Sequence, residues 1–211
     1  MAFLDRWGLP GTYPHYAMGW AVAGNTPYRN YKQTTYEGGT RVPLIVAWPK
    51  GIAAKGAVRS QFVHASDITP TLLAAAGVAP AASVNDAPQL PFEGRDFGYS
   101  FTTTAAAPPR AQYFEMFGHK GLLAGDWKIV TYSKLETWNM FGPGRTDRPW
   151  ELYDLGQDPG ESTDLAAARP DKLAELDREF DAQARRFNVY PIADQAAMNR
   201  ELGPKFAADF A

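Results

Sequence analysis

The chain of 211 residues contains no cysteine. That absence excludes disulfides, thiolate metal sites and thiol nucleophiles together. No apolar run approaches the ~18 residues of a membrane-spanning helix, so no membrane partner is expected. The first residues, MAFLDRWGLPGTYPHY, lack the charged, then apolar, then small-residue order of a signal peptide. A soluble protein of the cytoplasm or periplasm is the expectation. Charge of one sign is missing as well. With 21 Lys and Arg against 23 Asp and Glu the net charge is −2. No long block of either sign occurs, which leaves nucleic acid without support as a partner.

What is present is an ordinary globular composition, 45% hydrophobic and 21% charged. It is long enough for one core, or for one core and a small satellite. The most informative stretch is Asn25 to Pro49, NTPYRNYKQTTYEGGTRVPLIVAWP. It begins with a polar approach carrying Arg29 and Lys32. Glu37-Gly38-Gly39 follows as a turn, where paired glycines permit close backbone approach. Val42 to Trp48 is then an apolar run, dense in strand formers and stopped by Pro49, and it reads as a strand covered on both faces.

The chain before this stretch, to Gly24, has no period and reads as an irregular surface segment. His15 within it is a packed or solvated side chain on that reading. Downstream, Arg59 to Val63 is a candidate short strand. Asp67 is a candidate N-cap for a helix with Ile68, Leu72, Leu73 and Ala76 on one face, stopped by Gly77. His64, just before it, reads as a packing or capping residue. Residues 79–109 are loop-rich, and Pro with small residues near Ala105 to Arg110 marks a domain boundary.

The second half has another rhythm. Ala111 to Phe117, Gly121 to Ala124, Trp127 to Tyr132 and Glu151 to Leu155 are four short strand-like runs. Gly125-Asp126 suits a hairpin turn. From Pro170 the pattern is helical, with Leu173, Leu176, Phe180 and Phe187 forming one apolar stripe. A small antiparallel sheet covered by one helix is predicted.

Lys-x-Thr-Thr-Tyr-Glu-Gly-Gly-x-Arg-x-Pro, carried by Lys32, Thr34, Thr35, Tyr36, Glu37, Gly38, Gly39, Arg41 and Pro43, resembles the type I sulfatases. HYAMGWAVAGNTPYRNYK around it is most similar to their bacterial arylsulfatase branch. HASDITPTLLAAAGV resembles sulfatases and related alkaline-phosphatase-like hydrolases, and PFEGRD, QYFEMFG, WELYDL and DPGESTDLA resemble later sulfatase segments. The likeness runs from about Pro14 to Pro191. It implies an α/β chain equivalent to the C-terminal part of an alkaline-phosphatase-like sulfatase fold. Residues 1–108 are then the end of an incomplete catalytic domain, and 109–211 a C-terminal subdomain of antiparallel strands and a long helix.

The resemblance also implies sulfuric ester hydrolysis, with Lys32 binding an oxygen of the sulfate. Arg29, three residues earlier, is a candidate second contact to that anion, with an ion pair to Glu37 as the structural alternative. Glu37 in turn is a metal ligand or is satisfied by backbone N–H groups or Arg41. His119, expected at a hairpin tip, corresponds to residues bordering the substrate entrance, or is simply a turn residue. The family's chemistry uses calcium, and formylglycine made from the first residue of Cys/Ser-x-Pro-x-Arg. The one match in spacing is Ala106-Ala107-Pro108-Pro109-Arg110, with Ala at the nucleophile position. Neither cofactor is therefore expected in this chain, and no metal ligands are assigned. Two readings stand: an arylsulfatase-type fragment inactive alone, or a non-catalytic sulfate-binding subunit complementing a separate N-terminal sulfatase half. A phosphomonoester or phosphonate hydrolase matches fewer segments.

Overall fold

The computed structural model describes residues 4–6, 8–11, 16–105, 108–132, 148–193, 197 and 200–201. His15, Ala106, Ala107 and most of the loop after Tyr132 lie outside them. The elements are α1 (Met18–Asn25), α2 (Glu37–Thr40), α3 (Ile68–Ala76), β1 (Ser83–Val84), β2 (Ala87–Pro88), β3 (Ala111–Met116), β4 (His119–Ala124), β5 (Trp127–Thr131), β6 (Glu151–Asp154) and α4 (Pro170–Arg186). No helix among the described residues is long and apolar enough to cross a membrane. Two compact units result: residues 1–43 with 109–211, and residues 44–108. Residues 1–43 thus group with the second half of the chain, not with 44–108.

The first unit is built on a four-stranded antiparallel sheet, ordered β3-β4-β5-β6. Turn chemistry sets its register. Phe117 and Gly118 both take positive φ, 56° and 85°, joining Met116 opposite His119 as the primed hairpin turns require. Gly125, at φ 61°, turns β4 into β5 so that Ala124 faces Trp127. Alternation then sorts the side chains onto two faces. Leu122, Ile129 and Leu152 lie with Leu176, Phe180 and Ala184 of α4 in one core. Tyr113 stacks on Phe187 at 5.3 Å, so the predicted helical stripe does cover the sheet. The other face carries Val130 and Tyr153, which pack with Tyr36 in a second core. The sheet therefore has two covers, the helix on one side and the Tyr36 segment on the other.

The second unit is loop-rich. Helix α3 occurs as predicted, and Gly77 ends it in the left-handed region at φ 67°, with Val78 N–H donating to the Leu73 carbonyl at 2.9 Å. Asp67 does not cap it by a side-chain hydrogen bond. Instead the buried Asp67 carboxylate accepts from the His64 and Arg95 N–H groups, each at 2.8 Å. His64 is the capping residue, accepting from Ser66 N–H at 3.3 Å at the start of a single 3-10 turn. Ile68 and Leu72 of α3 are exposed, whereas Thr71 is buried and accepts from the Phe97 N–H at 2.9 Å. Among the described residues of this unit the sheet is the two-stranded pair β1-β2, exposed on both strands.

Three further expectations are corrected. Val42 to Trp48 forms no strand; its apolar side chains are open to solvent, Val42 by 77% and Ile45 by 90%, as expected of an apolar run whose flanking strands the described residues do not supply. A strand needs ladder partners for its backbone, and no described segment supplies them. Arg59 to Val63 is not a strand either; Arg59 and Gln61 reach by side chain to the carbonyls of Ser100, Thr103 and Ala105. Finally, the stretch before Gly24 contains helix α1, none of whose residues is buried. A helix without a buried face leaves no apolar stripe to read.

Candidate functional site

Residues 29–38 form a closed loop. The Gly38 N–H donates to the Arg29 carbonyl at 2.9 Å. Asn25 braces the closure from behind, its Nδ2 donating to the Asn30 carbonyl at 3.1 Å and the Gly38 carbonyl at 2.8 Å. Asn30 and Gln33 take positive φ, 62° and 72°, on either side of Lys32. The glycines are needed for approach. A Cβ on Gly38 falls 2.3 Å from the Asn30 carbonyl oxygen, and one on Gly39 falls 2.1 Å from that of Thr34. Any other residue there pushes the loop open. Thr35 fastens the loop to the sheet, donating to the Lys120 carbonyl at 2.7 Å.

Lys32 is exposed at the loop's turn. It forms no ion pair with a described residue, so its ammonium is open to an anion from solution. Arg29 is placed differently. Its guanidinium lies 4.3 Å over the Tyr36 ring and donates to the Tyr153 hydroxyl at 2.9 Å and the Glu161 carbonyl at 3.3 Å. Glu151 stands 3.4 Å away. The Glu151 carboxylate also accepts from the Tyr36 and Tyr153 hydroxyls, at 2.8 and 2.5 Å. Burial first, and these bonds second, hold both phenols well above the usual range. The Arg29–Glu37 ion pair is not formed, because Glu37 has another partner.

That partner is Lys128 of β5. Its Nζ is fully buried and lies 2.7 Å from Glu37 Oε1, 3.1 Å from Thr40 Oγ1 and 3.3 Å from Glu161 Oε1. Glu161 Oε2 accepts the Glu37 N–H at 2.7 Å, and Arg41 reaches Glu37 at 3.4 Å. Burial pushes the Glu161 carboxyl up, opposed by the Lys128 ammonium and the Glu37 N–H. Neither Lys128 nor Glu161 was singled out from sequence. The available sign was Lys128 at a position that alternates with Trp127 and Ile129, a cation sharing a strand face with Val130.

His119 is not at the hairpin tip, which Phe117 and Gly118 occupy. It opens β4, is 2% exposed, and stacks on Tyr132 at 5.0 Å. Tyr132 in turn lies 6.0 Å from Tyr36, so His119 backs the loop through two rings. Burial lowers its pKa to about 4. The loop residues and His119 share one unit, but only Lys32 presents an open charge.

Among the described residues no group of three or more His, Asp or Glu is placed to hold a metal ion. Glu37 is engaged by Lys128 and Arg41, and there is no cysteine to mature into formylglycine. Calcium and formylglycine thus find no fit among the described residues.

The sulfatase family model matches residues 9–78, a range that includes the whole closed loop. An uncharacterized sulfatase of Schizosaccharomyces pombe is 30% identical over 188 residues, covering 82% of this chain and 30% of the relative. Arylsulfatase A of Homo sapiens is 30% identical over 164 residues, covering 69% of this chain and 31% of the relative. The chain therefore spans about a third of the length of these curated relatives. Among solved structures, the PsFucS1 sulfatase from Pseudoalteromonas sp. superposes with a TM-score of 0.56 at 22% identity, over 80% of this chain and 34% of that one. The α/β elements, the antiparallel sheet and α4 are accordingly those of the C-terminal part of a sulfatase fold, and the chain belongs to the sulfatase family.

Proposed function

We propose that this chain supplies the anion-binding lysine and the sheet-and-helix subdomain of a sulfuric ester hydrolase of arylsulfatase type. The observation that carries the reading is Lys32, an open ammonium at the turn of a closed, glycine-locked loop. In sulfate ester hydrolysis, negative charge spreads over the sulfuryl oxygens, and a fixed cation beside them lowers the barrier. Asn30 and Gln33 in left-handed conformations set the backbone on either side of that cation. Arg29 orients the loop from below through Tyr36 and Tyr153 and does not face the anion as its own partner. The chain has no cysteine, and on this reading it needs a second polypeptide to supply the nucleophile.

The test uses a sulfatase of full family length that carries this chain's sequence over the matching part. Lys32→Ala is expected to lower kcat/KM for a chromogenic aryl sulfate by about 100-fold or more, while Lys172→Ala in α4, paired with Glu175, changes it by less than about two-fold. Equal, small effects remove Lys32 from the site. The isolated chain with calcium is expected to show no turnover. Activity that scales with protein and survives repurification overturns the reading. A complementing, non-catalytic subunit is the second reading, favoured by the exposed apolar side chains of Val42 to Trp48. Restored activity on mixing with a polypeptide bearing Cys-x-Pro-x-Arg distinguishes it.

A further inference from the structure

The DPGESTDLA segment and Lys128 have no part in the reading above, yet they converge on the loop that carries Lys32. We infer that Glu161 and Lys128 are positioning residues that hold both ends of this loop and so set where the Lys32 ammonium stands. The inference rests on the assignment of Lys32 as the anion ligand.

Glu161 makes two contacts with the loop and a third with Lys128 of β5. Its carbonyl accepts from Arg29 Nη1 at 3.3 Å, at the loop's start. One carboxylate oxygen accepts the Glu37 N–H at 2.7 Å, at the loop's end. The other faces Lys128 Nζ at 3.3 Å, and Lys128 also takes Glu37 Oε1 and Thr40 Oγ1. The ammonium thus donates to Glu37 and Thr40, while Glu161 Oε1 is its ion partner at 3.3 Å. Simple burial does not require charge here, since apolar side chains replacing the whole ionic group together fill such a site as stably or better. What charge adds is direction: the contacts to Arg29 and Glu37 each fix an atom at one end of the loop.

Glu161 is itself prepared for the task. Its φ is 54°, a left-handed conformation that a glutamate adopts only when its surroundings enforce it. The enforcing group is Asp158. The Glu161 N–H donates to the Asp158 carbonyl at 3.1 Å, while the Asp158 carboxylate accepts from Ser162 N–H at 2.7 Å, Thr163 N–H at 2.8 Å and Ser162 Oγ at 2.8 Å. A tight turn after β6 therefore aims both the carbonyl and the carboxylate of Glu161 at the loop. Sheet, turn and loop are joined at one buried point, 0% exposed at Lys128 and at Glu161.

The experiment uses the full 211-residue chain, labelled with nitrogen-15 and at its lysine ε-carbons, with inorganic sulfate as probe and chloride at equal ionic strength as control. Four variants are compared with wild type: Glu161→Asn, which suits a left-handed backbone but is too short for the clamp; Glu161→Gln, which keeps an acceptor for the Glu37 N–H; Lys128→Met; and Lys32→Ala. Glu161→Asn and Lys128→Met are expected to raise the heteronuclear mobility of residues 30–36 while the signals of Leu122, Ile129 and Leu152 stay in place. Their sulfate Kd is expected to rise by about ten-fold or more, with Glu161→Gln within about three-fold of wild type. Unchanged loop mobility and sulfate response in both clamp variants, with the response lost in Lys32→Ala, overturn the positioning role alone. A loosened loop with a wild-type sulfate response in Lys32→Ala overturns the anion assignment and leaves the clamp standing as a structural device. Loss of the folded spectrum in both clamp variants assigns the pair to folding and overturns the inference.

Discussion

Lys128 has no exposed surface; its Nζ donates to Glu37 and Thr40 at 2.7 and 3.1 Å and faces Glu161 at 3.3 Å as an ion partner. Removing the cation leaves two buried carboxylates near each other, with Arg41 on Glu37 and the Glu37 N–H on Glu161 left to offset them. Lys128→Met is therefore expected to destabilise the chain by about 3–5 kcal/mol, read from urea unfolding; a loss below about 1 kcal/mol contradicts the buried-pair description. His119 gives a pH dependence. Its folded pKa of about 4 lies below the ~6.5 of an unfolded histidine, so below that value the unfolded chain binds a proton that the folded chain refuses. This stability is fully present above pH ~6.5 and is lost as pH falls toward about 4, by at most about 3 kcal/mol. In melting curves between these values, His119→Phe, which keeps a ring against Tyr132, is expected to flatten the slope. An unchanged slope removes His119 as its source.

At the scale of the element, the loop and α4 obey different physics. The loop depends on backbone clearance. Gly38→Ala places a methyl against a carbonyl oxygen that cannot move without opening the Arg29–Gly38 closure, and a loss of about 1–3 kcal/mol is expected. Gly19→Ala in α1, where nothing lies within 4 Å, is expected to stabilise by up to about 1 kcal/mol. Circular-dichroism melts of the two variants moving in the same direction contradict this account. Helix α4 depends on burial instead. Phe180, against Trp150 at 5.1 Å and Tyr113 at 6.2 Å, is expected to lose about 3–5 kcal/mol on Phe180→Ala. Glu175→Ala, which breaks only the exposed Lys172 pair at 2.8 Å, is expected to change stability by less than about 0.5 kcal/mol.

For the molecule as a whole, the segment Val42 to Trp48 decides solution behaviour. Five apolar side chains, Val42, Leu44, Ile45, Val46 and Trp48, are exposed in succession, and an apolar surface of this kind favours contact with another chain. Concentration-dependent association is expected in sedimentation velocity. Ile45→Lys, at the most exposed of the five, should reduce it without lowering the melting temperature. Association unaltered by that change places the adhesive surface elsewhere. The same segment shows where pattern reading stops. Its composition is that of a doubly buried strand, but composition reports only the environment a segment suits. Whether partners are present is a property of the fold.

The sheet and α4 were legible residue by residue, because period-2 alternation, hairpin turns and a 3.6-residue stripe are local signals that burial then enforces. The closed loop was legible in part. Lys32 and the paired glycines stand out in the chain, since close approach admits only glycine at Gly38 and Gly39. The fate of the charges was not. Glu37 pairs with Lys128 across 91 positions and meets Glu161 across 124, and Arg29 turns to Tyr153 in place of Glu37. His119 moved from tip to strand because Phe117 and Gly118 took the left-handed turn. Local pattern determined which residues could form elements and which could carry charge outward. Tertiary packing alone decided which buried charges meet, since the energy of an ion pair depends on a distance that no sequence separation encodes.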